Sequence, residues 1–371
     1  MPAGVAAAIS SRMQDKATPK QVAARPYIRL WLYVVAGLVF AMVIVGGATR
    51  LTDSGLSITE WKPLLGAIPP LGESDWNEAF RKYQAIPEYH LVNKGMSLEA
   101  FKFIYWWEWS HRFLGRFIGV AFFVPFVLFA ATNRIERSAM SRLFGLFVLG
   151  GLQGLLGWYM VKSGLVDRVD VSQYRLAAHL TLALSIYAAI LWTALGYGKN
   201  KRQVLNTSVG KYALGIVGLV LLQIAIGGFV AGLKAGLNYN TWPLMANAVI
   251  PSGLGMLSPW WANLFENAMT VQFVHRTVAY ALFGVVLAHA WQYRILTAKV
   301  LLGTVVMQAI LGICTLLWHV PISLALVHQG GALVVLAAAV FHLHHVASTS
   351  AMREEPERDG AQKLVVEAKT A

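Results

Sequence analysis

The sequence predicts an all-α polytopic membrane protein. Eight transmembrane helices form two pseudo-symmetric four-helix bundles, with both termini cytoplasmic. Three observations predict this. Hydrophobic residues make up 57% of the chain and charged residues 13%, against about 25% charged in an ordinary soluble domain. Eight apolar runs occur, at 28–48, 113–132, 143–161, 176–196, 211–232, 272–293, 299–318 and 322–346; each is close to the ~20 residues that cross ~30 Å of hydrocarbon. Basic residues gather in alternate connections. With so little polar sequence between the runs, helices rather than a closed barrel must satisfy the backbone.

Residues 1–27 read as a cytoplasmic N-terminal segment without the apolar core of a secretory signal; a short mitochondrial presequence stays open. Arg12, Lys16, Lys20, Arg25 and Arg29 cluster at the entry to span 1. Arg134, Arg137 and Arg142 lie between spans 2 and 3, Lys199, Lys201, Arg202 and Lys211 between spans 4 and 5, and Arg294 and Lys299 between spans 6 and 7. This is the positive-inside pattern, so the net charge of +13 reports topology and not a nucleic-acid partner. The loop after span 1, about 52–105, is long, with aromatics and prolines that suit an external lid. Its counterpart, about 233–270, carries Trp260 and Trp261 as interface anchors. Cys314 is the only cysteine, which excludes an intramolecular disulfide, an iron–sulfur cluster and a cysteine-based zinc site. The charged tail, 347–371, is expected to be cytoplasmic and disordered.

The two halves, 28–200 and 201–346, share landmarks in the same order. Gly47 and Trp61 are separated as Gly228 and Trp242 are. His111-Arg112 aligns with His275-Arg276, Gln153 with Gln308, and His179 with His328. Four helices per half is an even number, so the halves have the same topology.

His111, His179, His275 and His328 each stand near the external start of an even-numbered span. Each half therefore offers two histidines at similar depth, as bis-imidazole ligation of an iron porphyrin requires. Arg112, Arg116, Arg175 and Arg276 lie within about a turn and are placed to pair propionates. A lone membrane histidine is more simply a hydrogen bond between helices; four in a matched duplicate favour ligation. Zinc lacks a third ligand at clear spacing. His289 and His342 each follow a ligand histidine by fourteen residues, ~21 Å on one helix face, which raises a third haem as a further option.

The halves differ in their ionisable groups. Opposite Glu108, Arg50, Asp53 and Arg175 of the first half stand Gln272, Ala231, Lys234 and Leu324 of the second. Electron transfer needs ligation and insulation, whereas oxidation also needs proton handling. The first half is accordingly expected to be reactive, with Glu108 backed by Arg50 and Arg175, and the second to hold a permanent haem b. The competing role for Glu108 is a salt bridge to Arg112 or Arg50.

The stretches GGATRLTDSGLSITEWKPLLGAIPPL, FKFIYWWEWSHRFLGR, GLLGWYMVKSGL with VSQYRLAAHL, and GGFVAGLKAGLNYNTWPLM resemble the haem A synthase family in its alphaproteobacterial and mitochondrial form. The resemblance covers about residues 28–346. It implies an oxidoreductase of the bacterial inner membrane, or the mitochondrial one, that oxidises the C8 methyl of haem O to the formyl of haem A for cytochrome c oxidase. It implies haem b on His275 and His328, substrate haem between His111 and His179, and Glu108 as the carboxylate required for oxidation. The sites would face the periplasm. Partners would be haem O, membrane lipid, haem O synthase, oxidase assembly factors and an electron carrier that the residues do not identify. The Gram-positive branch carries a cysteine pair in external loops, which this chain lacks. A haem b electron carrier exchanging electrons with quinol and a haem transporter or chaperone are the alternatives.

Overall fold

The computed structural model describes residues 17–61, 65–167, 169–198 and 205–370, with side chains, apart from 65, 166 and 167, as far as 349. Arg12, Lys16, Lys199, Lys201 and Arg202, part of the basic pattern, lie outside the described residues.

Eight helices are long and apolar enough to span a membrane. They are α1 (Pro19–Leu51), α2 (Leu98–Ala131), α3 (Arg137–Asp167), α4 (Gln173–Gly196), α5 (Ser208–Gly232), α6 (Ala268–Tyr293), α7 (Leu296–Leu317) and α8 (Ile322–Thr370). Beyond helices, the only regular pairing among the described residues is an isolated bridge between Met245 and Ala248.

Local capping explains why several helices outrun their apolar cores. Thr18 accepts from the Gln21 amide while the Gln21 side chain accepts from the Thr18 N–H, so α1 starts at Pro19 and not near 28. This reciprocal box satisfies two orphan donors. Ser97 Oγ accepts from the Ala100 amide at 3.2 Å, and α2 starts at Leu98, about four turns before the expected 113. His111 therefore lies well inside a helix rather than at its mouth. Asn267 caps α6 in the same manner. The last helix continues to Thr370, although the tail was expected to be disordered; Ala, Glu, Lys and Arg in that stretch have high helix propensity.

In the first half α1 packs on α2 and α4, and α3 on α4; in the second α5 packs on α6 and α8, and α7 on α8. The halves meet through α4 with α5 and α1 with α8. The α4–α5 approach requires glycine, since a Cβ at Gly228 would stand 2.8 Å from Ala177 Cα. Small residues at such contacts are how membrane helices gain packing where lipid offers no hydrophobic contrast. One continuous apolar core, including Leu32, Leu143, Ile190, Ile216, Leu301 and Leu336, runs through both halves.

The long loop after α1 folds. It forms helices Glu73–Tyr83 and Pro87–Leu91. Trp76, Tyr83, Phe101, Ile104 and Tyr105 bury together with Leu56 and Val171 as a second, aromatic core over the first half. Trp260 and Trp261 are exposed, as interface anchors would be.

Candidate functional site

The four duplicated histidines occupy matching positions on α2, α4, α6 and α8, and all are half-buried. His111 lies within electrostatic reach of His179, and His275 of His328, so each half holds a pair. Each imidazole stands against a glycine of the preceding helix. A Cβ built on Gly46, Gly157, Gly227 or Gly312 would lie 2.8, 2.9, 3.3 and 2.9 Å from Cε1 of His111, His179, His275 and His328 respectively. Ordinary carbon contacts are ~3.5–4.0 Å. The glycines therefore form a cradle in which each ring is edged against a bare helix backbone.

Three of the rings are also held by a glutamine one turn before the glycine. Gln153 Nε2 donates to the His179 carbonyl at 3.0 Å and stands 3.1 Å from its Nδ1 and 3.3 Å from its Nε2. Gln223 does the same for His275 at 3.0, 3.1 and 3.3 Å, while Gln308 donates to the His328 carbonyl at 2.8 Å and stands 3.2 Å from its Nδ1. Gln223 and the glycines escape a reading by histidine alone. Their signal is Q-x-x-x-G, present in QGLLG, QIAIG and QAILG.

Glu108 is buried and fully engaged. Its Oε2 accepts from Ser57 Oγ at 2.8 Å and the Ile58 amide at 2.7 Å. Its Oε1 accepts from Arg112 Nη2 at 2.6 Å and Nε at 3.0 Å. Arg112 in turn donates to the carbonyls of Ile58 at 2.8 Å and Glu60 at 3.1 Å. The pair thus pins the loop after α1. The second half uses a neutral version. Gln272 donates to the carbonyls of Ala235 and Tyr239, and Arg276 to Tyr239 at 2.9 Å and Gln272 Oε1 at 3.4 Å.

Three of the arginines have protein partners. Arg112 is bound to Glu108 and loop carbonyls because the helical i,i+4 spacing brings them together. Arg50 pairs with Asp53 at 3.0 Å and Asp170 at 3.3 Å, and not with Glu108. Lys234 completes this group, 3.1 Å from Asp53 and 3.3 Å from Asp170. Asp53 and Lys234, equivalent in the duplication, so meet across the junction of the halves. Arg175 lies over the Tyr159 ring, also away from Glu108. Arg116 is half-buried on the same helix as His111.

The donor set fits a porphyrin. Paired imidazoles would offer two nitrogens to an iron, and the glycine cradle positions the rings. Buried N–H groups of Arg50 (Nε, Nη2) and Arg276 (Nε, Nη1) have no protein acceptor, as a propionate-binding guanidinium requires. Among the described residues no three His, Cys, Asp or Glu side chains gather at one point.

His289 and His342 do not fit a third haem. Their Nε2 atoms are 2.7 Å apart, both rings are fully buried, and Thr297 Oγ1 is 2.8 Å from His342 Nδ1. The rings bond to each other and leave no porphyrin gap. They are an interhelical hydrogen bond, the role a lone membrane histidine most often has.

Residues 29–340 match the family described as cytochrome oxidase assembly protein. Heme A synthase of Parvibaculum lavamentivorans is 57% identical over 324 residues, 86% of this chain and 94% of that protein. Heme A synthase of Azorhizobium caulinodans is 54% identical over 85% of this chain and 93% of its own. That of Mesorhizobium japonicum is 51% identical over 91% and 95%. The chain is a multi-pass membrane protein and belongs to the haem A synthase family of cytochrome oxidase assembly proteins.

Proposed function

We propose that the chain oxidises the C8 methyl of haem O to a formyl group, holding haem O between His111 and His179 and a permanent haem b between His275 and His328. The observation that carries the reading is the fourfold imidazole–glycine cradle combined with Glu108, Arg50 and Arg175 in the first half, whose counterparts Gln272, Ala231 and Leu324 carry no charge. Haem b, when bound, supplies one-electron redox chemistry. The residues do the rest. The imidazoles set the depth of each macrocycle, and the unpaired N–H groups of Arg50 and Arg276 hold propionates at the external side. The aromatic core around Trp76, Phe101 and Tyr105 keeps water from the first half. Glu108 holds its carboxyl group one turn from His111, ion-paired with Arg112. The same pair fixes the loop at Ser57–Ile58.

The sites face the periplasm of a bacterial inner membrane in this reading. The two halves act as pseudo-symmetric bundles with different tasks. Haem O synthase would deliver the substrate and oxidase assembly factors would take the product. The direct His289–His342 contact removes the main support for a quinol-linked electron carrier. Pigment analysis of the purified protein tests the proposal. Haem A or hydroxylated haem O alongside haem b is expected. Haem b alone in all sites, with haem O supplied, would overturn it.

A further inference from the structure

The cradle is fourfold, but the glutamine clamp is threefold. Four residues before the glycine stand Gln153, Gln223 and Gln308 on α3, α5 and α7; on α1 the same place, before Gly46, is Met42. Met42 reaches the helix surface one turn beyond His111, since a Cβ on Gly115 would meet its Cε at 3.3 Å. A thioether accepts hydrogen bonds only weakly and donates none. His111 Nδ1 is correspondingly buried without a partner, unlike Nδ1 of the other three histidines.

This difference matters once Nε2 is given to an iron. The ring proton then sits on Nδ1 and needs an acceptor. In the three clamped sites Oε1 of Gln153, Gln223 and Gln308 is buried and unpartnered. Amide oxygen and nitrogen are nearly isosteric, so turning the amide over presents that oxygen to the proton, in exchange for the Nε2 donation to the histidine carbonyl. His111 has no such group. Outer partners of a ligating histidine fix its tautomer and ring angle and raise its basicity, and losing one typically costs ~10–100-fold in metal affinity.

We propose that His111 is the displaceable axial ligand of the substrate haem, so that the coordination position opened for reaction lies on the α1–α2 side, between Met42 and Glu108. The inference rests on the reading that the first half holds the substrate haem. It gives the asymmetry a purpose. The haem b site is clamped on both faces and stays six-coordinate, while the substrate site is clamped on one face, by His179. The face that opens is the one carrying Glu108, a turn away on the same helix.

The test is carbon monoxide binding to dithionite-reduced protein loaded with haem O, with low-spin and high-spin fractions read by electron paramagnetic resonance in the oxidised state. Wild type is expected to bind carbon monoxide at one haem of two. Met42→Gln, near-isosteric, should weaken that binding at least about tenfold and raise the low-spin fraction. Gln308→Met should make the haem b site reactive to carbon monoxide as well. Equal carbon monoxide affinity in wild type and Met42→Gln, with both haems present, overturns the inference and leaves the substrate-site reading intact. A His111→Ala/His179→Ala chain with the haem content of wild type overturns that reading, and the inference with it. If Met42→Gln does not accumulate, Gln153→Met decides. Added carbon monoxide affinity on the His179 face supports the clamp argument, and no change overturns it.

Discussion

Replacing Gly312 by alanine is the sharpest probe of the cradle. The new Cβ would stand 2.9 Å from His328 Cε1, inside the ~3.5–4.0 Å contact distance. The imidazole must therefore retreat by roughly 0.5–1 Å, away from the position that ligates an iron. Overpacking of this kind costs about 1–3 kcal/mol, which corresponds to roughly 5- to 150-fold weaker retention of haem b. Gly227→Ala, where the distance to His275 Cε1 is 3.3 Å, should fall near the lower end. Gly303, on the same helix as Gly312 and with nothing within 4 Å, is the control and should lose nothing. The assay is haem b per chain after purification, together with the rate of haem loss to excess apomyoglobin. The order Gly312→Ala, then Gly227→Ala, then Gly303→Ala is expected. Unchanged haem b and loss rate in Gly312→Ala, relative to Gly303→Ala, would refute the cradle.

Glu108→Gln should preserve the loop contact, because Gln272 already serves that place in the second half; haem b content stays normal while haem A yield falls at least ~100-fold, and a normal yield removes Glu108 from the chemistry. Glu88, buried in the loop after α1 with Oε2 unpartnered, has its carboxyl pushed up to about 8 by burial and then by the charge of Glu108. Its folded form holds the proton longer than the unfolded chain does, so stability falls as pH rises from about 4.5 to about 8. Melting curves at pH 5 and 8 should show this, and Glu88→Gln should flatten the difference; an unchanged slope in that variant assigns it elsewhere. His289→Ala should cost about 1–3 kcal/mol of stability through the lost partner of His342 without changing haem content per chain. Loss of one haem equivalent would restore the third-haem reading.

The chain's character as an eight-span membrane protein follows from composition and run length, because hydrocarbon thickness is a one-dimensional constraint that a sequence meets locally. The pairing of His111 with His179 and of His275 with His328 was equally legible, since duplication supplies an internal comparison. Helix starts were less so. Ser97 and Thr18 cap α2 and α1 well outside the apolar runs, where hydropathy carries no signal. Arg50, Arg112 and Arg175 could be placed near the ligands, but their partners could not be chosen. Whether a guanidinium meets a propionate, Asp170 or a loop carbonyl depends on how α1, α2 and residues 169–172 approach one another.

Sequence alone determined what must be buried and what repeats: the spans, the duplicated histidines, and the carboxylate present in one half only. Tertiary structure decided which groups touch. It turned Glu108 and Arg112 into a clamp on Ser57–Ile58, and joined His289 to His342 instead of to a cofactor. It set a bare glycine against each of the four duplicated imidazoles and left His111 Nδ1 without a partner. The reason is geometric. Periodicity and spacing act along one helix, whereas a hydrogen bond is decided within a few tenths of an ångström between helices distant in the chain.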